Sequence, residues 1–167
     1  MRIYPFKAIH LMPVWEDGIG FPSLFFPAVE DTRTVILTRK KKSLIGYCPK
    51  VWEGLKESIG SRYAGMDLAP VMIRDFIETA RVCRVDIIHE SKPYDMMMKY
   101  TGRLIRVPLA LVVPREMIEQ AGLAKEAVLV GMGYHFEIWP PADWEKLKYL
   151  PPYQTISRGM VYPDIIA

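Results

Sequence analysis

The side chains of this sequence that could do chemistry are mainly basic, and they fall in two groups. One is the run Arg39-Lys40-Lys41-Lys42, and the other comprises Lys99, Arg103 and Arg106. Lysine and arginine neutralise phosphates, and arginine can also bridge a guanine edge with its two-pronged donor geometry. Both groups are therefore candidate contacts to a nucleic acid.

Each basic group also has an ordinary structural interpretation. A run of charges is more often a solvated turn than a binding site. Arg103 and Arg106 could equally be exposed strand residues, or ion-pair partners of Glu90 or Asp95. The formal net charge of +3 is too small to prove a nucleic-acid partner by itself.

Other reactive residue types give weaker signals. The two cysteines, Cys48 and Cys83, have no metal-type spacing, and the three histidines are scattered. The sequence has no P-loop, no glycine-rich dinucleotide turn and no nucleophile motif, so we predict no enzymatic activity, no metal and no cofactor. Because the chain lacks an apolar run of about 20 residues and a signal peptide, we expect a cytoplasmic protein without a membrane partner.

The elements that must position the basic groups are revealed by an internal repeat. A shift of about 92 positions places Pro49 on Pro141, Trp52 on Trp144 and Leu55 on Leu147 without a gap. Since Trp and Pro are rare, the matches indicate a tandem duplication of one small unit. Units this small bury little apolar area, so the halves should share one core or the chain should oligomerise.

Each repeat predicts a β-hairpin that leads through proline into a short helix. The hairpin strands are expected at residues 34–39 and 43–47, and at 126–131 and 135–139, where alternation predicts a wetter face bearing His135 and Glu137. Helices are expected at residues 50–56, 142–148 and 115–121, with a longer one near 68–80 between the repeats. Gly122 is a natural stop for the helix that starts at Arg115.

The second repeat resembles the MraZ family of bacterial transcriptional regulators. The resemblance rests on Val113-Pro114, a helix ending Ala121-Gly122-Leu123, the strand Val128-Leu129-Val130-Gly131, and Phe136-Glu137-Ile138-Trp139 followed by Trp144. The first repeat is similar through Leu37-Thr38-Arg39 and Tyr47-Cys48-Pro49.

The resemblance implies a mainly β fold with short helices (α+β). Two tandem AbrB-like units of SpoVT type, each a swapped hairpin, would form one small β-barrel domain. It also implies a ring-like homo-oligomer in the nucleoid that binds double-stranded DNA at repeated promoter boxes.

The family signature, Asp-x-x-x-Arg before the strand-ending proline, is degraded in this chain. In the first repeat it falls on Val14 and Gly18, which carry no charge. In the second repeat, counting back from Pro114 gives Arg106 and Ala110, whereas aligning Gly102-Arg103 with the family segment places Lys99 at the Asp position.

These observations predict a division of the chain and two alternative functions. We expect a first AbrB-like repeat at 1–60, a central helix and linker at 61–100, a second repeat at 101–150 and a tail at 151–167. The first function is a multimeric DNA-binding regulator that uses Lys99, Arg103, Arg106 and the basic run at 39–42. The alternative is an oligomeric scaffold or protein-interaction module that has lost DNA binding.

Overall fold

The computed structural model describes residues 3–40, 42–62, 71–87 and 109–148. Eight strands form a closed antiparallel barrel in the order β1-β2-β6-β5-β3-β4-β8-β7. Their bounds are β1 Ile9–Trp15, β2 Gly18–Gly20, β3 Thr34–Lys40, β4 Ser43–Tyr47, β5 Arg81–Ile87, β6 Leu109–Val112, β7 Glu126–Gly131 and β8 His135–Trp139. The predicted mainly β fold with short helices is confirmed.

The two repeats interleave in the barrel. β1 of the first repeat pairs with β7 of the second, and β5 pairs with β3. β2 lies beside β6, and β4 beside β8, so the like strands of the two repeats meet. This exchange is the swapped-hairpin arrangement that the sequence resemblance implied.

Strand register confirms the duplication residue by residue. Ile36 pairs with Tyr47 in β3–β4, and Val128 pairs with Trp139, each 92 positions later, in β7–β8. A pseudo-twofold axis passes through the β4–β8 junction, where Ile45 faces its own repeat mate, Glu137. The barrel is therefore one duplicated unit closed on itself.

Five α-helices lie in the part of the chain that the structure describes. They are α1 Phe26–Val29, α2 Pro49–Arg62, α3 Val71–Glu78, α4 Arg115–Gln120 and α5 Pro141–Lys148. The expected helices at 115–121 and 142–148 are confirmed within one residue, and Gly122 has the positive φ of 72° that stops α4. The helix expected at 50–56 is longer in the structure, because α2 continues for two further turns and buries Ile59.

The two tryptophans of the repeat occupy equivalent positions. Trp52 is the fourth residue of α2 and Trp144 is the fourth residue of α5. Their backbone N–H groups donate to the equivalent carbonyls of Cys48 and Pro140. Equivalent sites after equivalent prolines are what a duplication requires.

The barrel interior holds the main core, and it is rich in aromatic rings near one end. Phe136 is fully buried, and its ring centroid lies 4.9 Å from that of Tyr4 and 5.6 Å from that of Phe25. The alternating residues Val35, Leu37, Ala127 and Leu129 point inward from the equivalent strands β3 and β7. Burial of this kind contributes most of the stabilising free energy.

The wetter face predicted for β8 is wrong. His135 and Glu137 are 8% and 5% exposed, so both faces of the strand are buried. The sequence alternation was sound, but the outer surface of the barrel lies under α2, α3 and α5. Glu137 accepts from the Trp139 indole N–H, which partly compensates the burial of its carboxylate.

Candidate nucleic-acid interface

The basic run lies at the tip of the first hairpin. Arg39 and Lys40 are the last residues of β3, Lys41 lies outside the described residues, and Lys42 is exposed just before β4. Lys40 pairs with Ser43 across the turn. The hairpin thus presents consecutive cations on a short, well-paired support.

Arg39 points toward the rim of the barrel, on the same side as Val35 and Leu37. Its backbone N–H donates to Thr79 Oγ1, which holds the strand against the end of α3. Its half-buried guanidinium has no hydrogen-bond or ion-pair partner among the described residues. An arginine held this way can offer its donors to an anion.

A further cation on this rim was not found from the sequence. Arg81 starts β5 beside Leu37, and its guanidinium donates to the carbonyls of Glu78 and Ala80 at the end of α3. No local signal could have placed Arg81 there, because the pairing of β5 with β3 is a long-range contact.

The strand ends that flank the second predicted basic group lie at the opposite end of the barrel. Lys99, Arg103 and Arg106 lie outside the described residues, between the end of β5 and the start of β6. β5 runs antiparallel to β3, so its last residue, Ile87, lies at the end away from the Lys40–Ser43 turn. The structure therefore does not bring the strand ends that flank the two groups together. A seven-residue strand separates the barrel ends by roughly 20 Å.

The β5–β6 connection is an insertion relative to the first repeat. Trp15 and Gly18 pair across a turn of only two residues, Glu16 and Asp17. The equivalent pair in the second repeat, Asp86 and Ala110, is separated by 23 residues. The second repeat is thus longer by 21 residues at this place, and this insertion carries all three of the predicted basic residues.

The equivalent turn in the first repeat is acidic and already engaged. Arg115 Nη1 donates to Glu16 Oε1 over 2.7 Å, and Arg115 Nε donates to Glu119 Oε1 over 2.9 Å. Asp17 adds another carboxylate beside Glu16. A turn of this charge repels phosphate, so the first repeat offers its hairpin tip rather than its β1–β2 turn to an anion.

The tip of the second hairpin has a different chemistry. Met132, Gly133 and Tyr134 replace the three lysines, and the N-terminal strap (residues 3–8) lies along this tip. Tyr4 exchanges both backbone hydrogen bonds with Gly133, and the Lys7 N–H donates to the Gly131 carbonyl.

Gly131 explains why only one tip accepts the strap. A Cβ at this position would lie 2.0 Å from the Pro5 carbonyl oxygen, which is far inside contact distance. The equivalent residue in the first repeat is Arg39, whose side chain would occupy the same space. A strap can therefore cross the second hairpin but not the first.

Burial at the junction of β4 and β8 shifts two titrating groups. Burial lowers the pKa of His135 to about 4, with a smaller contribution from the charge of Lys40. Burial also raises the pKa of Tyr47, and the carboxylate of Glu137 adds to that rise. His135 is therefore neutral near pH 7, and it supplies no positive charge to an interface.

In the part of the chain that the structure describes, no three His, Cys, Asp or Glu side chains lie close enough together to hold a metal ion. None of the helices described is long and apolar enough to cross a membrane.

The closed barrel of two interleaved repeats, with one basic hairpin tip, defines an AbrB-like barrel protein. A family model described as "MraZ protein, putative antitoxin-like" matches residues 111–149. This segment covers β6 to α5, the part of the second repeat on which the resemblance was based.

Curated relatives extend the similarity over most of the chain. The transcriptional regulator MraZ of Roseiflexus sp. (strain RS-1) is 28% identical over 130 residues, which cover 77% of this chain and 76% of the relative. That of Rhodospirillum rubrum is 29% identical over 136 residues, or 79% and 74%. That of Desulfosudis oleivorans is 50% identical over 40 residues, covering 24% and 27%.

These matches confirm the resemblance to the MraZ family that the sequence predicted. The relatives are named transcriptional regulators, not enzymes. Within that relationship, the acidic β1–β2 turn and the β5–β6 insertion distinguish the two repeats of this chain.

Proposed function

We propose that this chain is a sequence-specific DNA-binding transcriptional regulator of MraZ type. It acts in the cytoplasm, on the nucleoid, as a multimeric ring on repeated promoter boxes. The observation that carries the proposal is the basic hairpin tip, where the Arg39 guanidinium has no partner among the described residues and Lys42 is exposed. The names of the relatives support the same class of function.

In a ring-shaped assembly, a small basic tip on each subunit is sufficient for DNA binding. One tip contributes only a few phosphate contacts, and each is weak at physiological salt. Several identical tips on one assembly bind a repeated operator with a high effective concentration, because the first contact holds the others near their sites. The operator repeat then matches the subunit repeat.

Specific contacts are assigned to the insertion in this proposal. Lys99, Arg103 and Arg106 are its candidate contacts, and the two arginines can bridge guanine edges. The tip at 39–42 contacts phosphates only. Because the strand ends that flank the two groups lie at opposite ends of the barrel, we expect the groups to contact different turns of the duplex or different duplex segments.

The test is an electrophoretic shift against the promoter upstream of the chain's own gene, at low and moderate salt. We expect binding that weakens steeply as salt rises, since phosphate neutralisation releases counterions. Arg103→Ala with Arg106→Ala should weaken binding by about 1–3 kcal/mol for each specific contact removed. A double variant that stays folded and oligomeric yet binds as well as wild type contradicts the assigned role of the insertion.

The second candidate function is an oligomeric scaffold or protein-interaction module. It is favoured by exposed apolar side chains near the second hairpin, with Phe6 63% and Tyr134 60% exposed. Absence of any DNA shift at low salt, in a chain that scatters light as a multimer, would select this function over the first.

A further inference from the structure

An apolar surface lies on the outside of the second repeat. Ile9 and Tyr134 are 55% and 60% exposed, and Leu11, Met132 and Trp144 are half-buried beside them. We refer to these five residues as the second-repeat surface. Leu11, Met132 and Trp144 pack against a small buried cluster formed by Val128, Val130, Trp139 and Leu147. Ile9 is the strand partner of Val130, and Tyr134 lies at the tip of the same hairpin. Apolar area left open next to a buried cluster is a site where a further element can dock.

The first repeat shows how the equivalent surface is covered. Its cluster contains Ile36, Tyr47 and Trp52, which are the repeat mates of Val128, Trp139 and Trp144. It also contains Ile59 from the last turns of α2 and Phe76 from α3.

In the first repeat, the residues that cover this surface come from the end of α2 and from α3, which follow Trp52 in the chain. α3 is fastened to the hairpin it covers, because Thr38 Oγ1 donates to the Phe76 carbonyl and contacts Thr79 Oγ1 at 2.9 Å. As a result Trp52 is only 4% exposed, whereas Trp144 is half-buried.

The second repeat has no described counterpart of these covering elements. α5 is described only as far as Lys148, so the position equivalent to Ile59 of α2 lies outside the described residues. The N-terminal strap is the positional mate of the end of α3, but its backbone is already paired with Gly131 and Gly133. The chain that follows α5 is the segment 149–167, which contains Leu150, Val161, Ile165 and Ile166.

We propose that the C-terminal segment 149–167 docks on the second-repeat surface and covers it as Ile59 and Phe76 cover the equivalent surface of the first repeat. The segment follows Lys148, the last described residue of α5, and Trp144 and Leu147 of that helix already pack on the cluster. An extended chain spans roughly 3.3 Å per residue, so 19 residues are long enough to cross this surface. The docked segment supplies the apolar side chains that Ile59 and Phe76 supply in the other repeat.

Limited proteolysis of the full chain tests this proposal. Arg158 is the only lysine or arginine in the segment 149–167, so trypsin reports on it through a single mass loss. A synthetic peptide of residues 149–167 gives the rate for an undocked segment. Docking predicts cleavage of the intact protein about tenfold or more slower than that of the peptide, because cleavage follows the population of the open form.

Substitutions on both partners sharpen the test. Met132→Lys with Tyr134→Lys gives the second tip the lysines that the first tip carries at Lys40 and Lys42, so the hairpin should still fold. Val161→Asp with Ile165→Asp changes only the segment. Both pairs should accelerate cleavage at Arg158 toward the peptide rate. Val82→Lys is the matched control, because Val82 is 72% exposed at the position that mates with Leu11.

The alternatives have distinct outcomes. Wild-type cleavage at the peptide rate overturns the proposal, and so does protection that neither pair of substitutions removes. Protection that is lost on dilution, with light scattering showing dissociation, assigns the surface to a second copy of the chain and also overturns it. If the tip variant unfolds, the segment variant alone decides, since its changes lie outside the barrel.

Discussion

The two hairpins of this barrel have the same register and opposite surfaces. The first ends in consecutive cations and stands clear of the N-terminus, whereas the second ends in Met132-Gly133-Tyr134 and is bound by the strap. The inward-facing residues of β3 and β7 have stayed apolar in both repeats, because they pack in one shared core. Duplication therefore preserved the scaffold and left the tips free to specialise.

The outer faces show the same contrast. Trp52 and Trp144 occupy equivalent helix positions, but among the described residues a following helix covers Trp52 and not Trp144. Equivalent residues in a duplicated fold therefore need not contribute equally to the free energy of unfolding. Their contributions depend on which parts of the chain cover them.

The largest expected difference between the repeats concerns these tryptophans. Trp52→Ala should lower the free energy of unfolding by about 3–5 kcal/mol, because it empties a fully enclosed site. In the Val161→Asp, Ile165→Asp background, in which the C-terminal segment is expected to be undocked, Trp144→Ala should cost only roughly 1–2 kcal/mol, since its half-exposed ring buries less area. Urea unfolding followed by circular dichroism measures both losses. Equal losses in that background would contradict the comparison.

A pH effect should distinguish the second hairpin. Burial lowers the pKa of His135 from its ordinary 6.5 to about 4 in the folded protein, so the unfolded chain binds the proton more readily. Stability is therefore complete above pH 6.5 and falls, by roughly 1–3 kcal/mol in total, as pH falls toward 4. His135→Ser, which copies Ser43 of the first repeat, should remove most of the change between pH 7 and 5. An unchanged pH slope in this variant contradicts the assignment.

The smallest effect on stability is expected at the strap. Gly131→Ala places a Cβ against the Pro5 carbonyl, and relief requires the strap to move, at a cost of roughly 1–2 kcal/mol. Amide hydrogen exchange should quicken at Tyr4 and Lys7, whose N–H groups bond to the second hairpin. Gly133→Ala is a useful comparison, because only its positive φ of 88°, and no close contact, opposes the change. Unaltered exchange at Tyr4 in Gly131→Ala means that the glycine is not what admits the strap.

Much of the fold could be predicted because the duplication repeats rare residues at fixed spacing. The Pro–Trp–Leu pattern located both post-hairpin helices, and strand alternation located β3, β4, β7 and β8. The burial of His135 and Glu137 could not be predicted, since local alternation does not reveal which helices cover the outer face. The exchange of strands between repeats followed from the resemblance alone.

The candidate site was harder to predict for a physical reason. Charge runs can be read along the chain, so the basic tip was found, but the ends of a barrel depend on long-range pairing. That pairing places the tip and the strand ends that flank the insertion at opposite ends of the barrel, and it brings Arg81 to the rim beside Leu37. The DNA-binding roles of the basic residues at 39–42 and of Lys99, Arg103 and Arg106, and the proposed domain boundaries, stay predictions.

The two hairpin tips of one barrel are proposed to have different functions, and the first tip is the one that contacts DNA phosphates. The most direct measurement is the salt dependence of DNA binding for wild type and for Lys40→Met with Lys42→Tyr, which gives the first tip the residues of the second. Thermal unfolding and light scattering confirm that the variant keeps its fold and assembly. The account predicts that the slope of log K against log salt becomes shallower by about 1.8 for each engaged subunit. An unchanged slope in a folded, multimeric variant contradicts the account.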